Sequence, residues 1–223
     1  MSLRCAPEER RVVPLHPKLS EPAAVRVDIR SKRFGSAEVL RNLGFTVARG
    51  ETVALVGPSG IGKSTVLRIV AGLDPYFEGE ITRPAEMAMV FQEPVLLPWR
   101  SALQNLTLVH PSLAEKDARA ALDRVGLEGR YDAFPRSLSL GQQRRLALAR
   151  AFAGKPALLI MDEPFVSLDP DLAEAMLQLT EALIAEQRPA TILVTHARAE
   201  ADRLADRVLE LKGQPATLGP HLI

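Results

Sequence analysis

The chain has 223 residues, enough for one large domain or two small ones with a sizeable core. Its 28 Lys plus Arg against 27 Asp plus Glu leave a formal charge of +1, which excludes a protein holding nucleic acid by bulk positive charge. The single cysteine, Cys5, excludes an intrachain disulfide framework and fits a reducing compartment, and no run approaches the ~18 apolar residues of a membrane-spanning helix.

Residues 1–24 read as a flexible leader, because Pro14, Pro17 and Pro22 break the segment and no apolar stretch follows Arg10-Arg11, so it is no signal peptide. The fold is expected to begin near Val25 and to run as one domain over 25–223. Val25–Ile29 and Leu43–Val47 alternate apolar and polar residues, predicting half-buried antiparallel strands. Thr52–Val56 is continuously apolar and ends at a glycine, which predicts a buried central strand. Val66, Leu67, Ile69 and Val70 predict a helix closing at Gly72. Met87–Phe91, Ala157–Met161 and Thr191–Thr195 predict further buried strands. Ala118, Ala121, Leu122 and Val125 mark a short amphipathic helix, and Leu172, Met176, Leu179 and Leu183 mark a longer one. About 98–150 reads as an inserted helical subdomain whose polar part runs from Pro98 to Ser137. Alternating strands and helices after an early run of strands predict an α/β core with an added antiparallel β layer.

Gly57-Pro58-Ser59-Gly60-Ile61-Gly62-Lys63-Ser64-Thr65 fits G-x-x-x-x-G-K-[ST] between a predicted strand and a predicted helix. Its backbone N–H groups can wrap a polyphosphate at a helix N-terminus; Lys63 would reach the β- and γ-phosphates and Ser64 a Mg²⁺ ion. The strand at Leu158–Met161 ends in Asp162-Glu163. The first acid suits a place beside Mg²⁺, and the second could accept a proton from an attacking water.

Further motifs then fall in a telling order. Leu138-Ser139-Leu140-Gly141-Gln142 resembles the signature peptide of the ATP-binding cassette (ABC) ATPases, and Gln92 in Val90-Phe91-Gln92-Glu93-Pro94 resembles their Q-loop. Ser167-Leu168-Asp169 is similar to their D-loop, His196 to their switch histidine, and Phe34 stands where they place an aromatic ring against adenine. The resemblance implies a P-loop NTPase core of mainly parallel sheet with flanking helices, ATP and Mg²⁺ as ligands, and a site completed by a second cassette packed head to tail. In that arrangement Ser139, Gly141 and Gln142 would face the partner's γ-phosphate. Glu163 would be the general base, His196 would hold the γ-phosphate and attacking water, and Gln92 would contact Mg²⁺. Asp169 is open to two uses, a dimer contact or the N-cap of the helix starting at Pro170.

Two departures stand out. Leu140 takes the place of the first signature glycine while Gly141 is kept, which predicts an active ATPase with altered closure rather than a dead one. The segment from Gly72 to Val90 is short, so the antiparallel layer is expected to lack a hairpin, and no regulatory C-terminal domain is expected.

Phe91 to Arg100 ends in Leu96-Leu97-Pro98-Trp99-Arg100 and resembles the ATPase subunits of bacterial importers for nitrate, sulfonates and taurine. Trp99 either offers a docking surface for a membrane subunit or packs the insert onto the core. The resemblance implies an energy-coupling subunit on the inner face of the cell membrane. Separate permease subunits would supply the pathway, a solute-binding protein would act indirectly, and no nucleic acid would be bound. The alternatives are a soluble non-transport ABC ATPase and a nucleotide-binding regulator.

Overall fold

The structure is a computed structural model that describes residues 23–219. The expected leader lies, apart from Ala23 and Ala24, outside the described residues. β1 (Val25–Phe34) and β2 (Ala37–Val47) form an antiparallel hairpin with Val27 opposite Phe45 and Ile29 opposite Leu43. Val25, Val27 and Ile29 are buried while Arg26, Asp28 and Arg30 face solvent, as a period of two requires. β3 (Thr52–Val56) leads through a loop into α1 (Lys63–Val70). β4 (Glu78–Thr82) then returns to pair with β1, so the antiparallel sheet has three strands in the order β2-β1-β4.

β4 is the single strand that the segment from Gly72 to Val90 adds to this layer, so the layer lacks a hairpin there, as expected. Its Glu-Gly-Glu-Ile-Thr sequence hides the strand, because only one large apolar side chain marks it. Gly79 is its tell-tale: φ is 141°, and a Cβ there would lie 2.0 Å from the Asp28 carbonyl oxygen. Only glycine lets the two backbones approach so closely.

The remaining elements are β5 (Met87–Val90), α2 (Ala102–Thr107), α3 (Glu115–Arg124), α4 (Leu140–Ala153), β6 (Leu158–Asp162), α5 (Pro170–Gln187), β7 (Ala190–Val194), α6 (Arg198–Leu204), β8 (Arg207–Lys212) and β9 (Thr217–Leu218). The larger sheet runs β5-β6-β7-β3-β8-β9, parallel except for β9. β8 is likewise hidden in the sequence, since Arg207, Glu210 and Lys212 interrupt its apolar run. β5 is an edge strand, not a buried one, and only Val90 of its four residues is fully buried. An apolar run of four cannot by itself tell edge from centre.

The central strands are apolar throughout because both faces are covered. On β6, Leu158 and Ile160 join Val53 and Leu55 of β3, the helix α1 and the inner face of the antiparallel sheet. Leu159 and Met161 turn the other way, toward α2, α3, α4 and α5. The helices between 98 and 150 thus share one continuous apolar cluster with the sheet. Ala118 and Leu122 of α3, and Met176 and Leu183 of α5, occupy the buried faces their spacing predicts, with Ala121, Leu172 and Leu179 half-buried. The two sheets are also joined directly. Ala216, beside β9, donates its N–H to Val39 O (2.8 Å) and accepts from Arg41 N (2.9 Å).

The loop between β5 and α2 is held by one side chain. Asn105, fully buried in α2, accepts from Leu97 N (2.8 Å) and donates to the carbonyls of Leu97, Arg100 and Ser101 (3.2, 3.1 and 3.0 Å). Trp99 lies inside this tethered span and is 66% exposed, so it does not pack the insert onto the core. Replacing Asn105 with Ala removes these bonds and leaves a void at a fully buried position, which should cost about 2 kcal/mol in urea unfolding. Fluorescence anisotropy of Trp99, the only tryptophan, should fall in the same variant.

Candidate active site

The carboxyl ends of β3, β6 and β7 lie side by side, and the chemistry-bearing residues follow directly from them. After Val56 the chain passes through Gly57, Gly60 and Gly62 with φ of 153°, 77° and 111°, values that L side chains rarely adopt. Gly62 is the N-cap of α1, so no side chain caps that helix and no acidic residue stands in its first turn. The loop Gly57, Pro58, Ser59, Gly60, Ile61, Gly62 therefore presents backbone N–H groups and the positive helix end together, the arrangement that binds anions. Lys63 is only 5% exposed; its ammonium donates to Gly57 O (2.9 Å) and Pro58 O (3.1 Å). Thr65 follows within the first turn of α1.

Ser64 Oγ donates to Asp162 Oδ1 at 3.1 Å, joining residues 98 positions apart in the chain. A hydroxyl and a carboxylate are hard oxygen donors, the kind Mg²⁺ prefers. Among the described residues no group of three or more His, Cys, Asp or Glu could hold a metal by itself. A cation on this pair would thus complete its shell with water or phosphate oxygens, as Mg²⁺ commonly does. Burial pushes the Asp162 carboxyl above its ordinary range and the neighbouring Glu163 charge adds to this, while the Ser64 hydrogen bond opposes it.

Glu163 is drawn toward β7 by its own N–H, which donates to Val194 O (2.9 Å). Its carboxylate stands 3.5 Å from Lys63 Nζ through Oε1 and 3.3 Å from His196 Nδ1 through Oε2. His196 is set by the bend after β7, where buried Thr195 accepts from Ala197 N (3.0 Å) and donates to Glu200. Lys63, Ser64, Asp162, Glu163 and His196 are thereby connected in one chain of contacts. Gln92 lies two residues past Val90, whose register partner on β6 is Met161, so it sits exposed just beyond the strand end next to Asp162.

The other predicted residues lie elsewhere. Ser139 is the N-cap of α4 in a reciprocal capping box with Gln142: Gln142 N donates to Ser139 Oγ (3.3 Å) and Ser139 N to Gln142 Oε1 (3.0 Å). Leu140 is the first residue of α4 and takes no positive φ, so the backbone does not require glycine there. Gly141 is the tighter position, since a Cβ would meet Leu172 Cδ1 at 2.9 Å and the leucine side chain would have to shift. No hydrogen bond or ion pair among the described residues joins Ser139, Gly141 or Gln142 to the phosphate loop. Asp169 accepts from Leu172 N (3.0 Å) and is the N-cap of α5, with Pro170 following. Phe34, at the tip of the β1–β2 hairpin, is 55% exposed rather than core. The Lys32 ammonium stands 4.5 Å from its ring centroid, and Lys32 itself is buried against Asp74 (2.7 Å) and Tyr76 O (2.7 Å). The hairpin reaches the phosphate loop, because a Cβ on Gly62 would lie 2.8 Å from Leu40 Cδ2.

Comparison with known proteins gives this site a family. Residues 40–166 match the family described as ABC transporter. The chain belongs to the ABC transporter family. It is 47% identical over 204 residues to the "Aliphatic sulfonates import ATP-binding protein SsuB 2" of Paracoccus denitrificans, covering 89% of this chain and 81% of that protein. A protein of the same description from Frankia alni is 48% identical over 190 residues, 85% and 77% of the two chains. Among solved structures, the dimeric post-hydrolysis state of the ATP-binding cassette MJ0796 bound to ADP and Pi superposes with a TM-score of 0.75 at 28% identity, covering 89% of this chain and 97% of that one. This chain is accordingly an ABC ATPase that binds ATP, and its fold is the α/β P-loop ABC fold.

In this ABC ATPase, Asn105 and Lys32 carry no signal in the sequence. Neither belongs to a motif; a buried amide or ammonium betrays itself only through partners that are distant or purely backbone. The raised Asp162 carboxyl makes a testable statement about stability. A folded-state value above the unfolded one means the native protein holds its proton longer, so stability falls as pH rises from about 4, the unfolded value, through the folded one. Without divalent cations, Asp162→Asn should therefore raise the melting temperature at pH 7, and the gain should vanish below about pH 4. Calorimetry across that range checks the sign.

Proposed function

We propose that this chain is the ATP-hydrolysing, energy-coupling subunit of a multisubunit importer, and that the solute is an aliphatic sulfonate or a similarly small anion. The observation that carries the reading is the contact chain Lys63–Glu163–His196 beside Ser64–Asp162 at the carboxyl ends of β3, β6 and β7. The relatives named for aliphatic sulfonate import, and the exposed Trp99 held on the Asn105 tether, support the coupling role.

In this reading the phosphates of ATP lie along the backbone N–H groups of 57–65, with Lys63 drawn from Glu163 to the β- and γ-phosphates. Ser64 and Asp162 would hold Mg²⁺, with Gln92 joining from the loop beyond β5. Bound there, Mg²⁺ would supply positive charge to offset that of the phosphates. Glu163 orients the attacking water and takes its proton, and His196 keeps that water and the γ-phosphate in line. Phe34 offers its open face to the adenine, which adds about 1 kcal/mol and little discrimination among bases.

The signature residues Ser139, Gly141 and Gln142 serve a second copy of the site. They stand at the start of α4, with no hydrogen bond or ion pair among the described residues to their own phosphate loop, and two cassettes packed head to tail would complete two sites. Asp169 caps α5 beside that interface. The exposed face around Trp99 receives permease subunits, which carry the solute, while a solute-binding protein acts through them. No helix among the described residues is long and apolar enough to cross a membrane. In this reading the permeases hold the chain at the inner face of the cell membrane.

Light scattering on Glu163→Gln with and without MgATP tests the dimer and the base together. The expected result is a monomer that doubles in mass only with MgATP; a variant that binds ATP yet stays monomeric would point to a different partner cassette. Replacing Leu140 with Gly should leave turnover within about three-fold, since the helical backbone there accepts either residue. A rise of orders of magnitude would make Leu140 a brake.

A further inference from the structure

We propose that Arg144 is a positioning residue for ATP hydrolysis, its buried guanidinium clamping the turn after Glu163 and so holding that carboxylate in register with the signature helix. The proposal rests on the reading of Glu163 as the base. Its starting point is strain. Glu163 and Ser167 both lie in the left-handed region, with φ of 47° and 61°, and neither is a glycine. Side-chain-bearing residues stay there only when their surroundings over-determine the backbone.

Three restraints converge on the short span between them. Glu163 N is tied to Val194 O (2.9 Å), and Val166 N closes the turn onto Glu163 O at 3.3 Å. The third restraint comes from α4. Arg144, 5% exposed, donates Nη1 to Pro164 O at 2.7 Å and Nη2 to Val166 O at 3.1 Å. The planar fork of one side chain thus spans the segment between the two strained residues. Charged donors on carbonyl oxygens make hydrogen bonds stronger than neutral ones, and a fork fixes direction as well as distance.

The placement is more than packing. α4 is anchored independently, by Leu146, Leu148 and Phe152 in the apolar cluster and by Arg145 Nη1 on Val125 O (2.9 Å). Losing Arg144 would leave the helix docked and release the turn. Arg144 also shares a cavity with the Q-loop segment. Phe91 and Pro94 line a small cavity with Arg144, Pro164 and Phe165, and the charge of Glu93 acts on the guanidinium against the burial that pushes its pKa down. Arg144 Nε is buried without a partner among the described residues. One side chain therefore ties the signature helix to the turn bearing Glu163 and lines a cavity shared with the segment that carries Gln92.

The test uses the full chain with Arg144→Met and Arg144→Lys, each alone and combined with Glu163→Gln. Measured are MgATP turnover, affinity for a fluorescent ATP analogue and melting temperature. Arg144→Met should lower kcat by about 10-fold or more while KM and analogue affinity stay within about two-fold. Arg144→Lys, able to reach one carbonyl at a time, should recover part of the loss. In the Glu163→Gln background, Arg144→Met should take no more than about a further two-fold from residual turnover, because the group it positions is already gone. Parental turnover in Arg144→Met overturns the proposal. So does an equal loss in both backgrounds, or a parallel loss of nucleotide affinity, since either marks a general structural role. Should Arg144→Met not fold, Arg144→Lys decides: a several-fold drop in kcat at constant KM supports the clamp, and no drop overturns it. Parental turnover in Glu163→Gln alone is a separate result that removes the base reading itself.

Discussion

Everything at this site depends on the parallel register of three strands. β7 lies between β3 and β6, so the ends at Val56, Asp162 and Val194 are brought to one edge of the sheet. Residues that sequence separates by about a hundred positions become neighbours there: Ser64 reaches Asp162, Lys63 reaches Glu163, and His196 closes the line. Such pairing is slow to find and costly in loop entropy, and it holds only because both faces of the sheet are covered. Leu158 and Ile160 look to one layer and Leu159 and Met161 to the other, so a slip of one residue would exchange the two cores and scatter the site.

The parts legible in the sequence are those whose physics is local. The phosphate loop is written as glycines that must take positive φ, followed by a lysine and a hydroxyl at the start of a helix. The buried strands announce themselves as unbroken apolar runs. What stayed hidden depends on distant partners. β4 has too few apolar residues to be seen and exists because β1 offers it a free edge. β5 looked central because its composition is the same as that of a buried strand. Asn105 and Arg144 take their importance from carbonyl groups, which carry no residue identity at all. Motif order, in contrast, points to the family without any geometry, and the match over residues 40–166 agrees with it.

Leu140 shows how a motif departure should be weighed. A glycine in a signature can be required by backbone conformation, by space or by neither. At Leu140 the backbone is helical and nearly half the side chain is open, whereas at Gly141 a Cβ would press on Leu172. The two positions look equivalent in a pattern and are not equivalent in the molecule.

The small bridge between the sheets has a bearing on how nucleotides are told apart. Val39 and Arg41 are stitched to Ala216, while Leu40 between them presses on Gly62, so the hairpin bearing Phe34 and the loop bearing Lys63 form one stiff frame. On the proposed reading, that frame works as a ruler with its zero at the base and its scale along the phosphates. A diphosphate and a triphosphate then start from the same mark and share every graduation but the last. The whole distinction between fuel and spent product is read at one end, where Glu163 and His196 stand, and the rest of the grip need not change when the terminal phosphate departs.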